Sequence, residues 1–167
     1  ATTVRMDKWG RRVAAVGPDG SETTTAYDRC GRPVEFVDAA GGRTRIERDA
    51  AGRPVRIRRP GGGSVRYDYD ECGRVAGVRG AMGWRTELGY DADSQLIREV
   101  WPTGERGWIR YDRCGRITAR HTPGAGTFRW VYDRCGRIAE TKDPVYGVRR
   151  FRYDDADQLV AAMSGAG

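Results

Sequence analysis

The sequence is short of most of what catalytic chemistry uses. It has one histidine, and only Lys8 and Lys142 are lysines among its thirty basic residues. The histidine, His121, has no serine or cysteine in a triad-like setting, which favours an exposed strand or turn residue over a general base. No run of about 18 or more apolar residues occurs, so no transmembrane helix is expected. The opening Ala1-Thr2-Thr3-Val4-Arg5 lacks the apolar core of a signal peptide. Hydrophobic residues make up 38% and charged residues 32%. That balance resembles a disordered chain, but disordered segments are poor in aromatic and β-branched residues, and here Tyr, Trp, Val, Ile and Thr recur in register.

What is present is a period. Tyr27-Asp28-Arg29-Cys30-Gly31-Arg32 returns at Tyr69–Arg74, Tyr111–Arg116 and Tyr132–Arg137, with looser copies elsewhere. Aspartates stand at Asp7, Asp28, Asp49, Asp70, Asp91, Asp112, Asp133 and Asp154, always 21 residues apart. A fixed period of this size marks a repeat array whose units contact mainly their neighbours. The domain reading is therefore one array over 1–167. It starts in mid-repeat and stops soon after a repeat begins, as a piece of a longer protein would.

One repeat, Asp28 to Arg48, shows the expected local structure. Asp-x-x-Gly is a hairpin turn, with Asp at the first position of a type I turn and Gly at the φ > 0 position of a three-residue loop. The predicted turn residues are Asp7 with Gly10, Asp28 with Gly31, Asp49 with Gly52, Asp70 with Gly73, Asp112 with Gly115 and Asp133 with Gly136. Asp91 and Asp154 lack the Gly: Ser94 and Asp157 replace it, and Gln95 and Gln158 replace the following Arg. That coupled loss predicts a variant turn. A strand over Arg32–Val37, a second turn at Asp38–Gly42 and a return strand over Thr44–Arg48 complete the unit. The fold expected is all-β, about eight 21-residue hairpins forming a curved antiparallel sheet. Open twisted sheets rarely exceed about ten strands without curling.

Aligning the copies gives columns. Tyr27, Tyr69, Tyr90, Tyr111, Tyr132 and Tyr153 precede their aspartates by one residue. Ile46, Tyr67, Leu88, Ile109, Trp130 and Phe151 precede theirs by three. Period-two geometry puts both columns on one face, where they stack across repeats. The outgoing strand is ambiguous: Val13, Val34, Val55 and Ile97 suggest one inward column, but Leu96, Ile117, Ile138 and Leu159 sit one place earlier.

The residues that could carry chemistry have plainer explanations. Cys30, Cys72, Cys114 and Cys135 occupy one repeat position, so successive copies lie two strands, or roughly 9.6 Å, apart. That is too far for a disulfide or for converging zinc ligands, and unpaired thiols are expected, with intermolecular pairing left open. Neither a metal nor a cofactor site is expected. The net charge is +7 and carried by arginine. The densest patch, Arg43, Arg45, Arg48, Arg53, Arg56, Arg58 and Arg59, has Tyr67 and Tyr69 nearby, the pairing found on nucleic-acid surfaces. Glu47, Asp49 and Asp68 dilute it, so a solvated or internally paired face is favoured over nucleic acid. Trp84, Trp101, Trp108 and Trp130 read as strand packing first and sugar-stacking platforms second.

Tyr-Asp-x-x-Gly-Arg at a spacing of 21, in eight in-phase copies of which four are complete, followed by Gly-containing turns and mostly Tyr-ending strands, resembles the YD repeat of the Rhs family. That family includes bacterial Rhs polymorphic toxins, Tc toxin shell components, wall-associated repeat proteins and teneurins. The resemblance covers essentially the whole chain. It implies a β-strip that spirals into a hollow shell around a C-terminal toxin domain, within a secreted or cell-surface bacterial protein. The Asp-Pro-rich autoproteolytic region of the family is absent. Asp143-Pro144-Val145-Tyr146-Gly147 resembles it only superficially and falls in an ordinary repeat turn, so no protease residues carry over. The implied function is a non-catalytic wall segment. The alternative is an adhesin or carbohydrate-binding array. Implied partners are flanking repeats, an enclosed toxin domain, and other copies through the sheet edges.

Overall fold

The structure, a computed structural model, describes residues 2–165; Ala1, Ala166 and Gly167 of the expected array lie outside it. It is all-β. The strands are β1 (Thr3–Met6), β2 (Arg12–Val16), β3 (Glu22–Tyr27), β4 (Pro33–Val37), β5 (Arg43–Arg48), β6 (Pro54–Arg58), β7 (Ser64–Tyr69), β8 (Val75–Gly80), β9 (Arg85–Tyr90), β10 (Leu96–Val100), β11 (Arg106–Tyr111), β12 (Ile117–Thr122), β13 (Gly126–Tyr132), β14 (Ile138–Asp143), β15 (Gly147–Tyr153) and β16 (Leu159–Gly165). A single 3-10 turn, Pro60–Gly62, interrupts the series. The sixteen strands follow chain order in one sheet, without a crossover. No helix among the described residues is long and apolar enough to cross a membrane.

The chain packs as two units, Ala1–Arg85 and Thr86–Gly167. In the first, β1 to β8 form a meander in which each strand pairs antiparallel with the next. In the second, β9 to β16 do the same. Neither unit has a deep core. Among the described residues, the buried hydrophobics are Ala14, Ala15, Ile109 and Ala119. A sheet one layer thick has nothing to press its apolar face against, so even the aromatic columns stay half-exposed.

Two return strands, β5 and the last five residues of β13, alternate cleanly. In β13, Phe128, Trp130 and Tyr132 are half-buried while Arg129 and Val131 are exposed. In β5, Thr44, Ile46 and Arg48 are half-buried while Arg43, Arg45 and Glu47 are exposed. Period-two geometry assigns one face to the tyrosine columns and the other to the charged positions between them.

The outgoing strands do not alternate, and the reason repeats in every hairpin. Tyr27 pairs with Pro33 and Ala26 with Glu35, so Val34 is skipped. The same shift skips Val13, Val55, Ala76, Ile97, Thr118, Ala139 and Val160. A bulge sets two residues against one and breaks the period locally. The two competing columns of the sequence are therefore the two residues of one bulge.

Candidate functional site

The repeated feature with the most defined geometry is the Asp hinge. At Asp28 two backbone bonds close the loop: Asp28 N–H donates to Arg32 O (2.9 Å) and Gly31 N–H donates to Asp28 O (3.0 Å). Gly31 takes φ +78°. This is a type I turn with a left-handed third loop residue. Asp7/Gly10, Asp49/Gly52, Asp70/Gly73, Asp112/Gly115 and Asp133/Gly136 close by the same two bonds. At Asp91 and Asp154 the same bonds form with Ser94 and Asp157 in the glycine place, at φ +65° and +62°. Short polar side chains tolerate this region better than other non-glycine residues.

The Asp side chain ties the hinge internally. Asp28 Oδ1 accepts the amides of Cys30 and Arg32 (2.9 Å each), and Oδ2 accepts Arg32 Nε (2.8 Å). Asp112 and Asp133 hold Arg116 and Arg137 in the same way. These carboxyls lie below their ordinary pKa. At Asp112 and Asp133 the largest cause is the hydrogen bond from the paired guanidinium; at Asp28 and Asp70 it is the amide of Arg32 and Arg74. The same pairing raises the guanidinium pKa of Arg32, Arg116 and Arg137.

The paired arginine also reaches across its repeat to the residue before the next Asp hinge. Arg11 lies over the Tyr27 ring (4.7 Å), Arg53 over Tyr69 (4.4 Å), Arg116 over Tyr132 (4.5 Å) and Arg137 over Tyr153 (4.6 Å). Each tyrosine hydroxyl in turn donates to a backbone carbonyl 15 residues earlier. Tyr27 reaches Arg12 O, Tyr69 Pro54 O, Tyr111 Leu96 O, Tyr132 Ile117 O and Tyr153 Ile138 O, at 2.7–3.0 Å. Tyr90 ends β9 opposite Leu96 in register. The structure thus joins Asp, Arg and the following Tyr into a latch between successive Asp hinges. The sequence places Arg at a strand start and pairs it with the Asp four residues before; its contact with the following Tyr comes from the structure. The constant spacing of 16 residues from Arg to Tyr was the available signal.

Two positions depart from the motif and keep its contacts. Arg48 stands where other repeats have Tyr, and its Nη2 donates to Pro33 O (3.2 Å), again 15 residues back. Its Nη1 donates to Gly52 O (3.1 Å). Asp157 replaces the hinge glycine and receives Arg137 Nη1 at 2.5 Å. Alignment by residue type treats both as exceptions; side-chain reach makes them equivalents.

The remaining candidates are engaged locally. Cys30, Cys72, Cys114 and Cys135 are free and exposed, on hinge loops. Among the described residues no group of three or more His, Cys, Asp or Glu comes together to hold a metal. His121 and Trp108 pair across β11 and β12, with rings stacked at 5.8 Å, and Arg110 lies over Trp108 (4.8 Å). Trp130 stacks on Phe128 (6.3 Å). Trp84 and Trp101 lie so close over Gly80 and Gly107 that a Cβ there would meet the indole at 2.0 and 2.4 Å. Glycine inside a strand marks such a close approach.

Fold and latch together define a repeat protein of the antiparallel hairpin-sheet class. Residues 7–44 and 48–81 match the family model described as RHS Repeat. These residues are RHS repeats, and the same 21-residue hinge continues in phase to Asp154. Among solved structures, the chain is similar to one in the Photorhabdus luminescens Tc holotoxin pore carrying the TccC3 D651A mutation. The TM-score is 0.75 at 14% identity, over 95% of this chain and 10% of that one. It is also similar to chains in TcdB2-TccC3 (TM-score 0.57, 13% identity, 96% and 11% covered) and TcdB2-TccC3-Cdc42 (0.55, 14%, 92% and 11%). The chain spans about a tenth of the length of these solved chains. No curated protein matches its sequence.

Proposed function

We propose that this chain is a non-catalytic segment of an RHS-repeat shell that encapsulates or displays a C-terminal toxin domain, in a protein secreted by, or held on the surface of, a bacterium. The observation that carries this is the latch itself. Each Asp–Arg–Tyr latch spans one repeat, from its Asp hinge to the residue before the next hinge, so the side chains most often associated with chemistry are spent on holding successive hinges of a wall in place. The fold shared with chains of Tc toxin assemblies supports the same reading. The partners it implies are flanking repeats along the strip and the enclosed domain behind it.

A glycan-binding array is the competing reading. Its platforms, Trp108 and Trp130, already have rings or cations of this chain against them, and nothing favours it over the wall. The test is limited proteolysis of the full-length protein. The C-terminal domain is expected to resist cleavage in the wild type and to become sensitive when Tyr69→Leu and Tyr132→Leu loosen two latches. Equal cleavage of that domain in both proteins refutes encapsulation.

A further inference from the structure

The charged face of the first unit carries a feature that the wall does not use. Arg43 and Arg45 of β5, Arg56 and Arg58 of β6, and Arg59 after it line a groove of about 280 Å³, together with Gly62 and Ser64. Register places the strand residues on one face: Arg45 opposite Arg58, Arg58 opposite Ser64, and Arg56 between Glu47 and Arg66. Adjacent strands are about 4.8 Å apart and residues two apart along a strand are about 6.7 Å apart. The guanidiniums therefore spring from a tight grid.

Internal pairing leaves this grid under-neutralised. Glu35 is shared by Arg43 (3.0 Å) and Arg45. Glu47 takes Arg58 at 2.8 Å. Asp38, at the neighbouring tip, is occupied by the amides of Ala40 and Gly42, and Asp68 by Arg79. Five arginines of the groove thus face two carboxylates, Glu35 and Glu47. Among the described residues Arg56 and Arg59 form no ion pair, and Arg56 Nε is buried without a hydrogen-bond partner.

The geometry points to a binding groove for the tetrahedral oxyanions of a polyanion that has no bases to stack, with the sulfate groups of a sulfated oligosaccharide as the ligand class. Guanidiniums fork onto tetrahedral oxyanions through paired N–H donors. The absence of bases follows from the faces. Single-stranded nucleic acid is held by aromatic platforms beside the cations, and here Tyr67 and Tyr69 belong to the opposite face from Arg66 and Asp68. The groove lining contains no aromatic ring. The basic patch of the sequence is thereby divided: Arg53 turns to Tyr69 and Arg48 to Pro33 O, and the other five face the groove.

The test is isothermal titration of the protein with a heparin-derived oligosaccharide, with inorganic sulfate and pyrophosphate, and with a single-stranded DNA oligomer of equal charge. The oligosaccharide is expected to bind saturably and to weaken as salt rises from about 50 to about 200 mM. Saturable binding of free sulfate or pyrophosphate as well indicates a pocket for a single anion within the same groove, and supports the site. Arg56→Met should weaken binding about tenfold or more, whereas Arg134→Gln, on an exposed hinge loop of the second unit, should not. Glu35→Gln should tighten it, because it releases Arg43 and Arg45; a gain cannot come from misfolding. No binding by any oxyanion probe, unchanged binding in Arg56→Met, weaker binding in Glu35→Gln, or equally tight binding of the DNA oligomer each overturns the proposal.

Discussion

Tyr69→Phe removes a single oxygen from one latch and separates its two contacts. The hydroxyl donates to Pro54 O at 2.7 Å, and a hydrogen bond of this kind contributes about 1 kcal/mol net. The phenyl ring that remains still lies under the Arg53 guanidinium, whose centre is 4.4 Å from the ring centroid. A cation–π contact of this exposure contributes about 0.5–1 kcal/mol. Tyr69→Leu loses both contacts, so the expected losses are about 1 kcal/mol for Phe and about 2 kcal/mol for Leu. Arg53→Met completes a double-mutant cycle. Against Tyr69→Leu it should show a coupling of about 0.5–1 kcal/mol, and against Tyr69→Phe almost none. Urea unfolding at unchanged m-value measures all of these. Equal losses for Phe and Leu, or coupling absent in the Leu cycle, would show that the ring and guanidinium are neighbours without being partners.

Two glycines of the first unit share a left-handed backbone but not a neighbourhood. A Cβ at Gly41 (φ +81°) meets nothing within 4 Å, whereas at Gly52 (φ +85°) it meets Arg32 Nη1 at 1.6 Å. Gly41→Ala should cost about 1 kcal/mol of backbone strain, and Gly52→Ala the same strain plus a small cost for displacing the end of the Arg32 side chain, read from the urea midpoints; a Gly52→Ala midpoint above that of Gly41→Ala contradicts the close approach. Arg48→Tyr should leave stability near wild type, since a hydroxyl there reaches Pro33 O as the other column tyrosines reach their carbonyls, while Arg48→Ala should lower the melting temperature. The lowered Asp pKa values set the acid response. Their stabilisation is complete above the ordinary value of 3.8 and is lost as pH falls through the still lower folded values. Stability should therefore drop steeply below about pH 4, and Asp112→Asn, measured by thermal melts across pH, should flatten part of that drop.

The 21-residue period, the hinge at each Asp and the alternation of the return strands were legible in the residues alone, because each depends on local rules. Asp and Gly at fixed offsets specify a turn, and period two specifies a face. An uninterrupted phase then leaves a chain-order meander as the natural arrangement, and the sixteen strands follow it. What tertiary structure decided lies between repeats. Val34 and its equivalents are skipped because register is a property of two strands, so the ambiguous columns could not be sorted within one. Arg116 meets Tyr132, and Arg48 stands in for a tyrosine, because reach across a strand gap ignores residue type. The arginine patch divided between two faces for the same reason: density along the chain adds charges that the pleat then separates.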